Sequence, residues 1–227
     1  FELDKIMNNM LQNMKKLSIF RVRTNLELSK EIYEKLGIKS LLDLGAGNNP
    51  HKEIRNALNI KEYLIDVHVE DPQSKIYIEA NFMDFNRMSE IILTYIGELP
   101  EAVVGLHVIE HVSKSESRLL IKNMQQWASK VIILETPNGF VLQPGTASNP
   151  YQEHLCGWKP NELRELGFKV KGSTGMKFLR NNFDKGSYKI NLKFIRYLDV
   201  FLSRWLGLNR IPSLSFNLFA YKIISSE

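Results

Sequence analysis

The chain has 227 residues, of which 44% are hydrophobic and 24% charged, and its formal net charge is +5. This length suits one domain with a sizeable core, and the modest charge permits an anionic partner without requiring one. The lone Cys156 excludes an internal disulfide framework and is typical of a reducing compartment. No apolar run approaches the ~18 residues of a membrane span. From the single cysteine we expect a cytoplasmic protein.

Residues 1–36 are predicted to be helical. Apolar residues recur at helical spacing in two stretches, Ile6, Met10, Met14 and Leu17, followed by Leu26, Ile32 and Leu36. Such a segment either packs against the core or forms a flap over an active site, and the sequence leaves both interpretations open.

From residue 37 to 173 short apolar runs alternate with amphipathic stretches. The candidate strands are SLLDL, EYLID, KIYIEA, EAVVGL, KVIILE and FKVKGS, and a closing strand, SLSFNLFAYKII, follows near the C-terminus. The candidate helices are MSEIILTYI, SKSESRLLIKNMQQWA and KPNELRELG. This alternation predicts an α/β fold with a doubly wound, mostly parallel sheet that is covered on both faces.

The stretch LHVIEHV contains His107, Glu110 and His111 in the spacing H-x-x-E-H, which zinc peptidases use on a helix. Here the motif follows the buried run EAVVGL, and a capping box, Ser113-x-x-Glu116, begins a helix only after it. We therefore interpret the motif as the end of a strand and the turn beyond it. Ligands of open α/β sheets bind at that edge.

The stretch LLDLGAGNNP is a buried strand that enters a glycine turn. Gly45 and Gly47 allow close approach of a ligand to the backbone, but Pro50 stands where a dinucleotide fingerprint needs a third glycine. Asp43 places a carboxylate beside the turn, which suits a cationic ligand better than a phosphate. Asp66, at the end of the next strand, is placed to bind ribose hydroxyls. Together these residues predict an S-adenosylmethionine site.

The span from about Leu41 to Phe168 resembles the class I S-adenosylmethionine-dependent methyltransferases, in the branch called type 11 or type 23. The stretches LLDLGAGNNP, YLID, LHVIEHV, ILETPNG and HLCGWKPNELRELGF carry the resemblance, in the family's order and spacing. It implies a Rossmann-like, seven-stranded sheet with an antiparallel final strand. The predicted organisation is a single domain, residues 1–227, with an N-terminal helical segment at 1–36, a cofactor-binding core at 37–173, a basic helical insertion or cap at 174–213 and a closing strand at 214–227.

The resemblance also implies roles for individual residues. The cofactor-binding residues would be Asp43, Gly45 and Gly47 at the methionine part, Asp66 at the ribose, Asn81 and Phe82 at the adenine, and Leu106 and His107 beneath the transferred methyl. Many relatives carry an Asp where this chain has Asn81, but an amide can still accept from the adenine amino group.

A hydroxyl acceptor also needs a residue that removes its proton. The candidate catalytic residues are His107, His111 and His154, with Glu135 and Glu153 as further candidates. The candidate substrate-contacting residues are Glu110, Glu135, Tyr151, His154 and Trp158, of which His154 and Trp158 could instead anchor their loop. The similar ubiquinone-pathway O-methyltransferases hold a divalent ion with E-x-x-E-H. This chain has His107 in place of the first Glu, so no metal ligand is predicted.

The segment from Thr174 to Pro212 carries eight basic residues against two acidic ones, and its YKINLKFIRYLDVFLSRWLGL stretch is apolar with basic residues at helical spacing. It is interpreted as a cap over the active site, with a peripheral membrane contact or a dimer contact left open. The expected acceptor is a small molecule or a glycan or glycolipid, by branch-level analogy. The alternatives are an RNA methyltransferase that uses the basic insertion and a non-catalytic, cofactor-binding regulatory subunit.

Overall fold

The structure is a computed structural model that describes residues 24–47, 52–67, 77–147, 149–182, 187–190, 193–205, 207–208 and 211–224. The predicted helix through Ile6, Met10, Met14 and Leu17 lies outside these residues. No helix among the described residues is long and apolar enough to cross a membrane.

Within the described residues, seven strands form one sheet. They are β1 (Ser40–Leu44), β2 (Lys61–Asp66), β3 (Tyr77–Glu79), β4 (Ala102–Leu106), β5 (Val131–Pro137), β6 (Lys169–Met176) and β7 (Ser215–Ile223). The sheet order is β3-β2-β1-β4-β5-β7-β6. β7 runs antiparallel to both of its neighbours, whereas the other adjacent pairs are parallel. The predicted seven-stranded sheet with an antiparallel final strand is confirmed.

Six α-helices lie among the described residues. They are α1 (Asn25–Leu36), α2 (Lys52–Ala57), α3 (Phe85–Ile91), α4 (Lys114–Trp127), α5 (Pro160–Glu165) and α6 (Lys193–Val200). α3 and α6 continue as wider π turns at Ile92–Ile96 and Phe201–Trp205. The predicted helix over the second N-terminal stretch is therefore present as α1.

The strands bury side chains on both faces of the sheet, as a doubly wound sheet requires. In β4, Val103 joins the cluster that contains Trp127 of α4, whereas Val104 faces the cluster that contains Tyr33 of α1. Strand side chains alternate between the faces, so neighbouring β4 residues serve two separate cores.

Side-chain caps determine where α4 begins. Ser113 Oγ accepts from the Glu116 N–H, and the Ser113 N–H donates to the Glu116 carboxylate, as the capping box predicts. α4 therefore starts at Lys114, and the H-x-x-E-H motif stays outside any helix. The peptidase geometry is excluded, because its two histidines must project from one helical face.

The late basic segment is anchored to the sheet by a buried carboxylate. β6 runs to Met176, slightly into the predicted insertion, and the Met176 N–H donates to Asp199 of α6 over 2.6 Å. Tyr188 Oη and an Arg180 guanidinium nitrogen reach the other Asp199 oxygen over 2.8 and 3.2 Å. β5 and β6 both run antiparallel to β7 and so point the same way. The anchor thus lies at the carboxyl edge of the sheet.

Candidate functional site

The glycine turn after β1 is fastened to the end of β2. The Gly45 N–H donates to the Ile65 carbonyl over 2.8 Å, and the Gly47 N–H donates to an Asp66 carboxylate oxygen over 3.0 Å. Tyr77 of β3 donates its hydroxyl to the Gly47 carbonyl over 2.6 Å. The structure therefore brings Gly45, Gly47 and Asp66 together, and it adds Tyr77, which no sequence motif indicates.

Both turn glycines have positive φ, and they differ in the space around them. Gly45 has φ +63°, and a Cβ there would lie 2.6 Å from Val108 Cγ2. Gly47 has φ +45°, and a Cβ there would meet no atom of the described residues within 4 Å. Gly45 is thus required by packing against the turn after β4, whereas Gly47 borders space that no described residue fills and in which a ligand could approach the backbone.

We expect Gly45→Ala to lower the free energy of unfolding by about 2–4 kcal/mol, because a left-handed backbone conformation and a clash with a core side chain both oppose the added methyl. Urea unfolding measures this loss. Gly97→Ala is the matched control, since Gly97 has φ +82° and a Cβ there would lie more than 4 Å from every other described residue that could obstruct it. The control should lose only about 1 kcal/mol. Equal losses of unfolding free energy in the two variants would show that the Val108 side chain moves aside without lowering stability.

Asp43 is buried and paired with a buried arginine. The Asp43 carboxylate lies 2.8 Å from an Arg55 nitrogen of α2, and Arg55 also reaches Glu62 over 3.2 Å. Burial raises the pKa of Asp43, and the Arg55 charge and hydrogen bond oppose that rise. A protein cation therefore already balances the carboxylate that the resemblance assigns to the methionine part of a cofactor. Sequence reasoning missed Arg55.

The other predicted cofactor residues differ in exposure. Asn81, just beyond β3, is exposed, and its side-chain oxygen accepts from the Met83 N–H over 2.9 Å. Phe82 is buried in the core, so this structure leaves little of its ring for an adenine to contact. Leu106, at the end of β4, is half-buried.

His107 directly follows β4 and has a backbone conformation that is rare outside glycine, with φ +56°. Its Nδ1 lies 2.9 Å from Glu110 Oε1, and its Nε2 lies 3.7 Å from Glu135 Oε1. Burial lowers the pKa of His107, but its hydrogen bond to Glu110 and the charges of the two carboxylates outweigh burial and raise that pKa to about 10. The two carboxylates therefore favour the protonated ring, and protonation of His107 opposes a role as general base.

Glu135, at the carboxyl end of β5, accepts hydrogen bonds from several elements. One of its oxygens accepts from the side chains of Asn25 in α1, Asn217 in β7 over 3.2 Å and Ser173 in β6 over 3.4 Å. Burial raises the pKa of Glu135, but the nearby His107 ring and the hydrogen bonds from the two asparagines bring it below its ordinary value. Glu135 is thus a buried carboxylate that ties α1 to the sheet. Sequence reasoning missed Asn25 and Asn217.

The loop after β5 is fastened to the turn after β4. The Glu110 carbonyl accepts from the N–H groups of Leu155 and Cys156 over 2.8 and 3.1 Å, and Cys156 Sγ donates to the Ile109 carbonyl over 3.2 Å. These bonds place His154, which lies on that loop, beside His111. The two rings meet edge to face with centroids 4.8 Å apart.

Each of these histidines has Nδ1 at a backbone carbonyl. His111 Nδ1 lies 3.0 Å from the Glu153 carbonyl, and His154 Nδ1 lies 2.8 Å from the Val141 carbonyl. Desolvation by burial lowers the pKa of His154. A neutral imidazole with Nδ1–H donated to a carbonyl keeps its lone pair on Nε2.

The remaining loop residues divide between anchors and exposed positions. Trp158 is fully buried, its indole N–H donates to Ser117 Oγ over 3.0 Å, and Lys114 Nζ lies 3.4 Å from its ring centroid. In this structure Trp158 anchors the loop and has no surface with which to contact an acceptor. Tyr151 and Glu153 are exposed, so their side chains are accessible to an acceptor.

The late segment also forms a basic cavity of about 320 Å³. Its lining residues are Lys177, Phe178, Arg180, Asn181, Asn182 and Lys189. The Asn182 carbonyl accepts from the Leu142 N–H over 2.6 Å, next to the residue whose carbonyl holds His154. The cavity therefore borders the loop that carries His154.

No protein-family model and no curated protein matches the chain. Solved structures do match it. The plantazolicin methyltransferase in complex with S-adenosylhomocysteine (SAH) is 12% identical, with a TM-score of 0.50 over 89% of this chain and 83% of that chain. A methyltransferase from Archaeoglobus fulgidus is 16% identical, with a TM-score of 0.49 over 87% of this chain and 94% of that chain. Magnesium protoporphyrin IX methyltransferase from Synechocystis PCC 6803 is 14% identical, with a TM-score of 0.49 over 88% of this chain and 82% of that chain. This chain therefore has the class I S-adenosylmethionine-dependent methyltransferase fold.

Proposed function

We propose that this protein is an S-adenosylmethionine-dependent methyltransferase that methylates a hydroxyl group of a small molecule, glycan or glycolipid. The observation that carries the proposal is the contact between Asp66 and the Gly47 N–H at the carboxyl edge of the sheet. This contact holds a carboxylate beside a glycine turn, and no described residue fills the space next to that turn. The turn also lacks the third glycine with which a dinucleotide-binding turn accommodates a pyrophosphate.

The residues around the turn fit the cofactor. Asp66 would accept hydrogen bonds from the ribose hydroxyls, and the backbone at Gly47 would border the methionine part. When bound, S-adenosylmethionine supplies an electrophilic methyl carbon on a sulfonium centre, and transfer depends on an acceptor held in line with it. The His107 ring, 43% exposed at the end of β4, would lie at the floor of that reaction space.

Two histidines present lone pairs near this floor. The carbonyls of Glu153 and Val141 hold the Nδ1 atoms of His111 and His154, which leaves each Nε2 as the acceptor atom. Oxygen acceptors need such groups, because a hydroxyl must lose its proton as it attacks. This arrangement supports a hydroxyl acceptor over a carbon acceptor.

The basic cavity supports an acceptor that carries an anionic group. Lys177 and Lys189 line it, and it borders the loop of His154. If the acceptor placed a phosphate or carboxylate in the cavity, a neighbouring hydroxyl of the same molecule would lie near the loop that carries His154. Phosphate-linked glycolipids carry both groups, and they are the acceptor class that we infer.

We expect methyl-labelled S-adenosylmethionine, incubated with the protein and fractionated cell extract, to label the lipid or glycan fraction. Asp66→Ala should abolish the labelling, which would tie it to the proposed site. Label in RNA would favour the RNA methyltransferase alternative. Tight SAH binding with no label in any fraction would favour a non-catalytic subunit.

A further inference from the structure

We propose that Glu110, His111 and His154 bind a divalent transition-metal ion next to the methyl-transfer site. Ligand-type atoms from these three residues lie within 4.8 Å of one another. A tetrahedral ion with bonds of about 2.1 Å needs its ligand atoms about 3.4 Å apart. Side-chain rotations that move the ligand atoms by about an ångström would therefore bring them to the spacing that a tetrahedral ion needs.

Glu110 contributes a carboxylate oxygen that lacks a partner. The side chain is buried, with 1% of the residue exposed, and its Oε1 accepts from His107. Its Oε2 is buried and has no hydrogen-bond partner among the described residues. An unpaired buried carboxylate oxygen is costly, because the protein replaces none of the hydration that it lost. A bound cation would remove that cost.

The two histidines are held in the tautomer that binds metals. Histidines that ligate metals commonly donate the other ring N–H to a backbone carbonyl, which fixes the tautomer and orients the ring. His111 and His154 do this through Glu153 and Val141. The nitrogen left to bind an ion is Nε2 in both rings.

The backbone holds the ligands together before any ion binds. Two N–H groups of the loop, those of Leu155 and Cys156, donate to the carbonyl of Glu110 itself. The Cys156 thiol donates a further hydrogen bond to the carbonyl of Ile109, the residue before Glu110. His154 thus comes from a different element than Glu110 and His111, yet it is fastened to them by main-chain bonds.

Two imidazoles and one carboxylate favour transition metals, because Mg²⁺ and Ca²⁺ prefer oxygen ligands. Three protein ligands also leave open positions, as in catalytic zinc sites. The set differs from the zinc-peptidase pattern that the sequence suggests, because His107 pairs with Glu110 and takes no part in it.

The role of the ion rests on the proposed function, although its binding does not. With the ion bound, the Nε2 lone pairs of His111 and His154 are occupied, so neither histidine removes the proton in that state. A metal-bound hydroxyl loses its proton to solvent more readily. The resulting oxygen then attacks the methyl carbon of S-adenosylmethionine, forming a C–O bond as the C–S bond breaks. The electron pair of the C–S bond returns to sulfur, which leaves SAH.

Chelator-treated full-length protein should bind one Zn²⁺ per chain in titration calorimetry, without cofactor or acceptor present. Co²⁺ should bind at the same place and give visible absorption bands. His111→Ala and His154→Ala should each lower the Zn²⁺ affinity at least about 100-fold, since removing an outer partner alone often lowers affinity 10–100-fold. Glu110→Gln should do the same while keeping the volume of the side chain.

Glu153→Gln is the matched control. It removes an exposed carboxylate next to His154 but keeps the carbonyl that holds His111, so its Zn²⁺ affinity should equal that of the parent. Thermal unfolding without metal shows whether each variant is folded, and a Zn²⁺-dependent rise in Tm repeats the comparison independently. The parent should show the rise, and the three ligand variants should not.

Two results would overturn the proposal: a parent protein that binds neither Zn²⁺ nor Co²⁺, or unchanged Zn²⁺ binding in the His111→Ala/His154→Ala double variant. SAH binding, measured on metal-free protein, tests the proposed function separately. Metal binding without SAH binding would refute the methyltransferase assignment alone. SAH binding without metal binding would refute the metal site alone.

Discussion

Asp66→Ala should lower the affinity for SAH at least about 100-fold in titration calorimetry. A hydrogen bond to a charged group contributes about 1.5–3 kcal/mol, and a ribose offers two hydroxyls to one carboxylate. Each 1.4 kcal/mol corresponds to about a factor of ten in affinity, so the loss of both bonds exceeds two orders of magnitude. The variant also removes the acceptor of the Gly47 N–H, which loosens the turn itself.

A second variant separates these two effects. Asp66→Asn keeps an oxygen that can accept from Gly47 but loses the charge, so its SAH affinity should lie between those of the parent and the alanine variant. Glu79→Gln is the matched control, because Glu79 is the register partner of Asp66 on β3 and is exposed. Its SAH affinity should be unchanged. Parent-like binding by Asp66→Ala, or binding of NAD by the parent, would refute the assignment of the turn.

The features that can be predicted from the sequence are local ones. The glycine turn, the strand end at Asp66 and the capping box at Ser113 each depend on residues close together in the chain, and local backbone chemistry determines them. The strand–helix alternation is enough to predict the layers of the sheet. The strand order comes from the family resemblance, since alternation alone leaves several orders open.

The partners of Glu135 that sequence reasoning missed are distant in the chain. Glu135 is satisfied by Asn25, which is 110 positions away, and by Asn217, which is 82 positions away. Nothing in the local pattern marks an asparagine in α1 or β7 as a partner of β5. Such contacts depend on which elements meet at the carboxyl edge, and the fold alone decides that.

The same limit applies to His107 and His154. The H-x-x-E-H spacing marks His107 as a candidate ligand. In the structure, however, its ring lies beside the carboxylates of Glu110 and Glu135, and its backbone is left-handed. The sequence predicts a substrate loop around His154, and the contact of that ring with His111 follows only from the bonds between two loops. The chemically useful grouping is therefore Glu110 with these two histidines, which no single stretch of sequence contains.

Arg55→Met should lower the free energy of unfolding by about 3–5 kcal/mol, because it leaves the buried Asp43 carboxylate without its ion-pair partner. Arg55 has no exposed side-chain surface, and Asp43 has 2%. Urea unfolding at neutral pH measures the loss. Arg87→Met is the control, since the Arg87–Glu90 pair is at least half exposed and screened by water, so this variant should unfold at nearly the same urea concentration as the parent.

The double variant Asp43→Asn/Arg55→Met decides whether the loss comes from the stranded charge. Removing both charges leaves no ion at the fully buried Asp43 position, and the Glu62 carboxylate, which is 14% exposed, keeps access to water. The double variant should therefore recover most of the stability that Arg55→Met loses. The Asp43–Arg55 ion pair joins β1, which leads into the glycine turn, to α2, so it also holds the strand that carries the turn. If the double variant is as unstable as Arg55→Met, packing of the arginine, and not its charge, holds this part of the core.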